Sequence, residues 1–181
     1  MESTNHIHKK SFPLIPLWGI IGVSFILGQA IWKLWPLAIE PIQNQNLTIW
    51  QWVLYAIWLI FMGYSEGYRG FQKAFCPRVV RRAWTLQSSS PTLHILLAPL
   101  YSMGYFHATR KRKIISWSLT FGIVGIVLFV KILPYPYRHI IDGGVVLGLS
   151  YGLVCLLLIG FNAIRGILPP VSPDLPPTKI S

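Results

Sequence analysis

Four stretches of this chain, 13–32, 48–66, 114–133 and 140–163, stay apolar for about twenty residues and carry at most one charged side chain each. An α-helix rises about 1.5 Å per residue, so each stretch matches the roughly 30 Å hydrocarbon core of a bilayer. Inside that core every backbone N–H and C=O must be paired, and for a single apolar run the helix does this within the segment. Only 12% of the 181 residues are charged and 53% are apolar, where a soluble domain is about a quarter charged. The expected fold is an all-α membrane protein with four transmembrane helices in one domain, 13–165. A polar tail at 1–12 and a Pro-rich, disordered tail at 166–181 flank it.

Charge sets the expected orientation. Sixteen Lys and Arg stand against five Asp and Glu, a net charge of +11. No helix-turn-helix, zinc-finger or RNA-binding pattern accompanies that excess, so it points to a membrane face and anionic lipid and not to nucleic acid. A fifth apolar stretch, Thr92 to Phe106, is only fifteen residues long and is interrupted by Pro99 and Gly104. If it does not cross, thirteen cations share one side and three the other; if it crosses, the split is nine to seven. Cations collect on the cytoplasmic side. The expectation is therefore four crossings, a re-entrant or interfacial hairpin at 92–106, and both termini cytoplasmic. The stretch from Pro36 to Leu47 reads as a polar loop, and Pro77 as the end of the second helix near Cys76.

The most informative segment is Tyr64 to Arg82, where an aromatic helix meets a run of cations. Tyr64 and Tyr68 mark its inner interface, as Trp50, Trp52 and Tyr55 mark the outer one. Glu66 is its carboxylate, and an ionisable group near a membrane helix is costly unless paired or hydrated. Arg69, three residues on, is the expected partner, and Lys73 continues the stripe. Glu66, Arg69 and His107 are the candidates for acid–base or clamping chemistry at the inner interface. Arg69, Lys73, Arg78, Arg81, Arg82, Arg110, Lys111, Arg112 and Lys113 form the candidate surface for anionic lipid or an acidic partner. His94 and His107 bracket the hairpin, yet no third ligand can be placed beside them, so neither a metal nor another cofactor is expected.

Gly144, Gly148 and Gly152 are spaced by four, a pattern that lets a second helix approach closely. Gly122 and Gly125 on the preceding span are the expected receivers, with self-association as the alternative. Arg138, His139 and Asp142 look catalytic, but the wider His–Asp spacing and the companion motifs of the type-2 phosphatidic acid phosphatases are missing. Asp142 reads instead as the cap of the last helix. Cys76 and Cys155 are expected at different depths, without a disulfide.

Glu66-Gly67-Tyr68-Arg69-Gly70-Phe71-Gln72, with His107 to Arg110 and Arg138 to Gly143, resembles a group of small bacterial multi-span membrane proteins. The resemblance implies the same architecture, in a bacterial inner or internal membrane, and attaches no activity. No complete catalytic constellation is present. The expectation is a non-enzymatic interaction or assembly factor with a basic cytoplasmic face, bound to anionic lipid, to a membrane-protein partner or to its own copy. The alternatives are a lipid-modifying enzyme at the inner interface and, more weakly, an oligomeric transporter, since no charge is expected at the membrane centre.

Overall fold

The computed structural model describes residues 13–44, 47–86 and 90–176, all of it helix or irregular chain. The N-terminal tail and Lys179 lie outside the described residues. The elements are α1 (Leu14–Asn44), α2 (Ile49–Met62), a π-helical segment (Gly63–Phe75), α3 (Cys76–Ala83), α4 (Thr92–Leu96), α5 (Ala98–Met103), α6 (Arg110–Lys131) and α7 (Tyr137–Ile164). Three of these, α1, α6 and α7, are long and apolar enough to cross a membrane. Large apolar side chains face outward along them and along α2, with Trp50 at 81% and Ile49 at 85% exposure. Such a surface suits lipid as its solvent, because monomeric soluble proteins rarely expose apolar patches of this extent.

The polar loop expected at Pro36 to Leu47 is helix as far as Asn44. Pro36 and Pro41 lie inside α1, and both Ala38 and Pro41 are buried. Tyr55 donates a 3.0 Å hydrogen bond to the Ala38 carbonyl, tying this last part of α1 to α2. Tertiary packing here outweighs proline's poor fit to a helix interior.

Pro77 likewise does not stop its helix. α2, the π segment and α3 follow without a break, with Met62, Gly63, Phe75 and Cys76 all in right-handed helical geometry. The Cys76 N–H reaches back five residues to the Phe71 carbonyl. Pro77, which has no N–H, therefore sits in the first turn of α3, the position where proline is tolerated. Wider winding also changes which residues share a face. Met62, Glu66, Gly67 and Phe71 meet α7, at steps of four or five instead of three or four.

α7 is the spine. α1 packs along it, and so do α2 and the π segment. Its glycines make the fit possible: a Cβ on Gly144 would collide with Trp58 and Met62, on Gly148 with Glu66, and on Gly152 with the Phe71 ring. The stripe thus receives the helix from 49 to 75 and not α6. Around Gly122 and Gly125 there is open space within 4 Å. Asp142 lies inside α7, which starts at Tyr137 behind Pro136, so it is not a cap; it faces Arg138 at 3.6 Å.

Cys76 and Cys155 also meet, against expectation. Both thiols are free and buried in one core, and Cys76 donates to the Gly152 carbonyl at 3.4 Å. They belong to the main core with Ile20, Val23, Val79, Val80 and Leu156. That core lies where α1, α3 and α7 converge, towards the basic end of the bundle.

Candidate functional site at the basic end

Four segments converge at this end: the end of α3, the bent helical segment α4–α5, the start of α6 and the chain after α7. α5 packs on α1 and α3. Gly19 and Gly22 of α1 leave the room, since a Cβ there would strike Ser102 and Pro99. Gly104, in left-handed geometry at φ 87°, ends α5.

Arg82 is the hub. Its side chain is 0% exposed. Nε donates to the Tyr101 carbonyl at 2.8 Å, and one terminal nitrogen donates to Pro173 at 2.7 Å and Asp174 at 3.4 Å. The other reaches the carbonyls of Phe106 and His107 at 3.2 and 3.3 Å. The guanidinium also lies 4.7 Å from the centre of the Tyr101 ring. It is therefore a structural cross-link, not part of the exposed anion-binding surface expected for it. The tail at 166–181, expected to be disordered, is extended but docked as far as it is described: the Asp174 carbonyl accepts from the Thr109 N–H at 2.9 Å, and Leu175 packs on the Leu86–Ala98–Tyr101 cluster.

Arg112 is withdrawn from the surface too, at 7% exposure. Its Nε has no hydrogen-bond partner. Arg112 and Arg78 line one cavity of about 230 Å³ between the helix from 63 to 83 and α6. Gly70, Ala74, Phe75, Met103, Ile115 and Leu119 give this cavity apolar walls, with Tyr105 and Ser116 beside them. The first turn of α6 holds no carboxylate, although a helix N-terminus carries partial positive charge and favours anions. Arg110, Lys111 and Lys113 remain exposed around it, as do Arg69 and Lys73 further along the π segment; Arg78 and Arg81 are half-buried. Lys73 lies over the Tyr68 ring at 4.5 Å.

The three candidates for acid–base work are not brought together. Glu66 packs against Gly148, about 4 Å along the axis from the middle of α7. It stands beside the middle of α7, and its Oε2 has no hydrogen-bond partner. Tyr64 and Tyr68 sit at similar depth, since Gly67 between them touches Tyr151. Arg69 points outward, away from Glu66, because the wider helix takes residues three apart off a common face. His107 lies at the basic end, in left-handed geometry at φ 48°. Its ring is 4.7 Å from that of His94 and 6.0 Å from that of Tyr101. Partial burial, then the fields of His94, Arg82 and Lys113, hold His107 below the ordinary histidine range. No group of three or more potential metal ligands occurs among the described residues.

Sequence reasoning did not single out Arg82 and Arg112 from the other cations, because nothing in the chain marks which arginine turns inward. It missed the opposite end altogether as a place of pairing. There His139 Nε2 lies 2.9 Å from Glu40 Oε2, beside the Arg138–Asp142 pair. Compared with known protein families, curated proteins and solved structures, the chain matches none.

Proposed function

We propose that this chain is a non-enzymatic membrane protein that works through contacts: an interaction or assembly factor held by its basic end against an anionic leaflet. In this reading the helix from 49 to 83 crosses beside α1, α6 and α7, the hairpin 92–103 stays at the basic side, and both termini are cytoplasmic. The observation that carries it is the collection of Arg78, Arg81, Arg110, Lys111 and Lys113 at one end, with no carboxylate in the first turn of α6. Cations so placed attract anionic lipid and hold that end on the cytoplasmic side. The separation of Glu66 from His107 speaks against one catalytic centre built from both. A second reading, an oligomeric transporter, gains from Glu66, because a carboxylate at mid-span is where transporters place polar groups.

The test is gentle purification in native lipid, followed by mass spectrometry of protein and lipid together. The reading expects a stoichiometric membrane-protein partner or a defined homo-oligomer, with anionic lipid enriched. A monomer without a partner refutes it. Impermeant labelling of single cysteines tests the topology: positions 111 and 134 should be reached from opposite sides of a sealed membrane.

A further inference from the structure

We infer that the cavity between the π segment and α6 is a binding site for one anionic phospholipid, with the phosphate on Arg78 and Arg112 and an acyl chain along Ile115 and Leu119. The inference deepens the reading above and rests on its placement of this end at the anionic leaflet.

Three observations meet here. A guanidinium that is 7% exposed lines the cavity with its Nε unpartnered. Burying a charged donor without an acceptor is expensive, so the fold is complete only when an anion supplies one. Arg78, the second cation on the wall, has no hydrogen-bond acceptor among the described residues and adds repulsion to Arg112. The Asp174 carboxylate offsets that field in part, but it forms no ion pair with Arg112 or Arg78 among the described residues.

The helix end adds to the demand. The first turn of α6 contains four cations and no acid, at the helix end whose dipole favours an anion. A phosphate relieves all of these at once, and its oxygens suit the planar fork of arginine.

The rest of the wall argues that the phosphate carries a hydrocarbon chain. Leu119 is seven residues beyond Arg112 on α6, about 10 Å deeper along the helix. Phe75, Ala74 and Gly70 face it from the π segment. Charge at the mouth and apolar walls one and two turns below match a headgroup followed by an acyl chain. A free phosphate would leave the deep part of the cavity empty.

The test uses the full chain in a mild, lipid-free detergent, with dioleoylphosphatidylglycerol or dioleoylphosphatidylcholine added in turn. Native mass spectrometry counts the lipid retained as the collision energy rises. One phosphatidylglycerol should stay on the wild type while phosphatidylcholine leaves early. Arg78→Gln, at the half-buried rim, should weaken retention roughly ten- to a hundredfold, the effect of losing a charge-assisted hydrogen bond. Leu119→Asn should weaken it too, with Arg78 and Arg112 untouched. Size-exclusion profiles and circular dichroism confirm that each variant is folded.

Equal retention of the two lipids, unchanged retention by Arg78→Gln, or ready displacement of the lipid by inorganic phosphate each overturns the site. Retention in detergent does not depend on sidedness or on a protein partner. Its failure therefore overturns the site alone, whereas failure of the labelling or of partner co-purification overturns the wider reading alone.

Discussion

Arg82 should be among the costliest residues in the chain to change. Its guanidinium is fully buried and donates to backbone carbonyls in α5, in the segment before α6 and in the C-terminal tail. Hydrogen bonds from a charged donor contribute about 1.5–3 kcal/mol each, but they share one side chain and do not add. Removing them together opens a polar junction, and losses of about 3–5 kcal/mol are typical when a buried charged network is broken. Arg82→Ala should therefore lower the midpoint of thermal unfolding by roughly 6–20 °C for a chain of this size. Arg82→Lys is the sharper test. It keeps the charge, but an ammonium is a compact point donor that cannot span carbonyls from three segments, so it should lose more than half of the same stability. Unfolding is followed by tryptophan fluorescence in detergent, and limited proteolysis reads the release of the tail around Pro173. If Arg82→Lys unfolds at the wild-type temperature with the tail still protected, the guanidinium is not the cross-link and the argument fails.

The α7 stripe separates packed from open glycines: Gly152→Ala should cost about 1–3 kcal/mol through overpacking against Phe71, while Gly122→Ala, with open space around it, should be neutral in the same unfolding assay. His107 supplies a pH dependence. Its folded pKa is depressed, so below the unfolded value of about 6.5 the unfolded chain binds more protons and stability falls as pH falls. His107→Asn, which tolerates left-handed geometry, should remove that part of the slope between about pH 7.5 and 5.5; an unchanged slope assigns it elsewhere. Glu66→Gln keeps the shape against Gly148 and should leave both stability and partner co-purification intact. Loss of the partner with the fold preserved would show that the ionisable group itself is needed and would favour the transporter reading.

Much of the fold could be read from apolar run length alone. The all-helical class and the helices at 110–131 and 137–164 follow from it, and the spacing of Gly144, Gly148 and Gly152 correctly marks a close helix contact. What run length cannot show is the partner of that contact. A short turn at 134–136 suggests α6, but it is Trp58 and Met62 that fit Gly144, Glu66 that fits Gly148 and Phe71 that fits Gly152. The π segment hid the rest. A periodicity of 3.6 puts Glu66 and Arg69 together; the wider winding sends one inward and the other out. Pro36, Pro41 and Pro77 misled for a related reason, since local propensity says break where tertiary packing and the first-turn position say continue. At the basic end the site was visible as charge and invisible as architecture: nine cations look alike in sequence, and only folding decides that Arg82 ties carbonyls while Arg112 faces a cavity.

The attachment of α6 has an evolutionary corollary. Ser116 donates to the Met103 carbonyl at 3.0 Å, Thr120 pairs with Tyr105 at 2.6 Å, and Val130 is buried at the far end. Between Thr120 and Val130 the side chains are exposed. Selection there can act only on oiliness and length, not on shape. In any set of orthologues the centre of α6 should drift freely among Leu, Ile, Val and Phe, while the glycines of α7 and the arginine at 82 stay fixed. Two neighbouring helices of similar hydropathy would then age at very different rates.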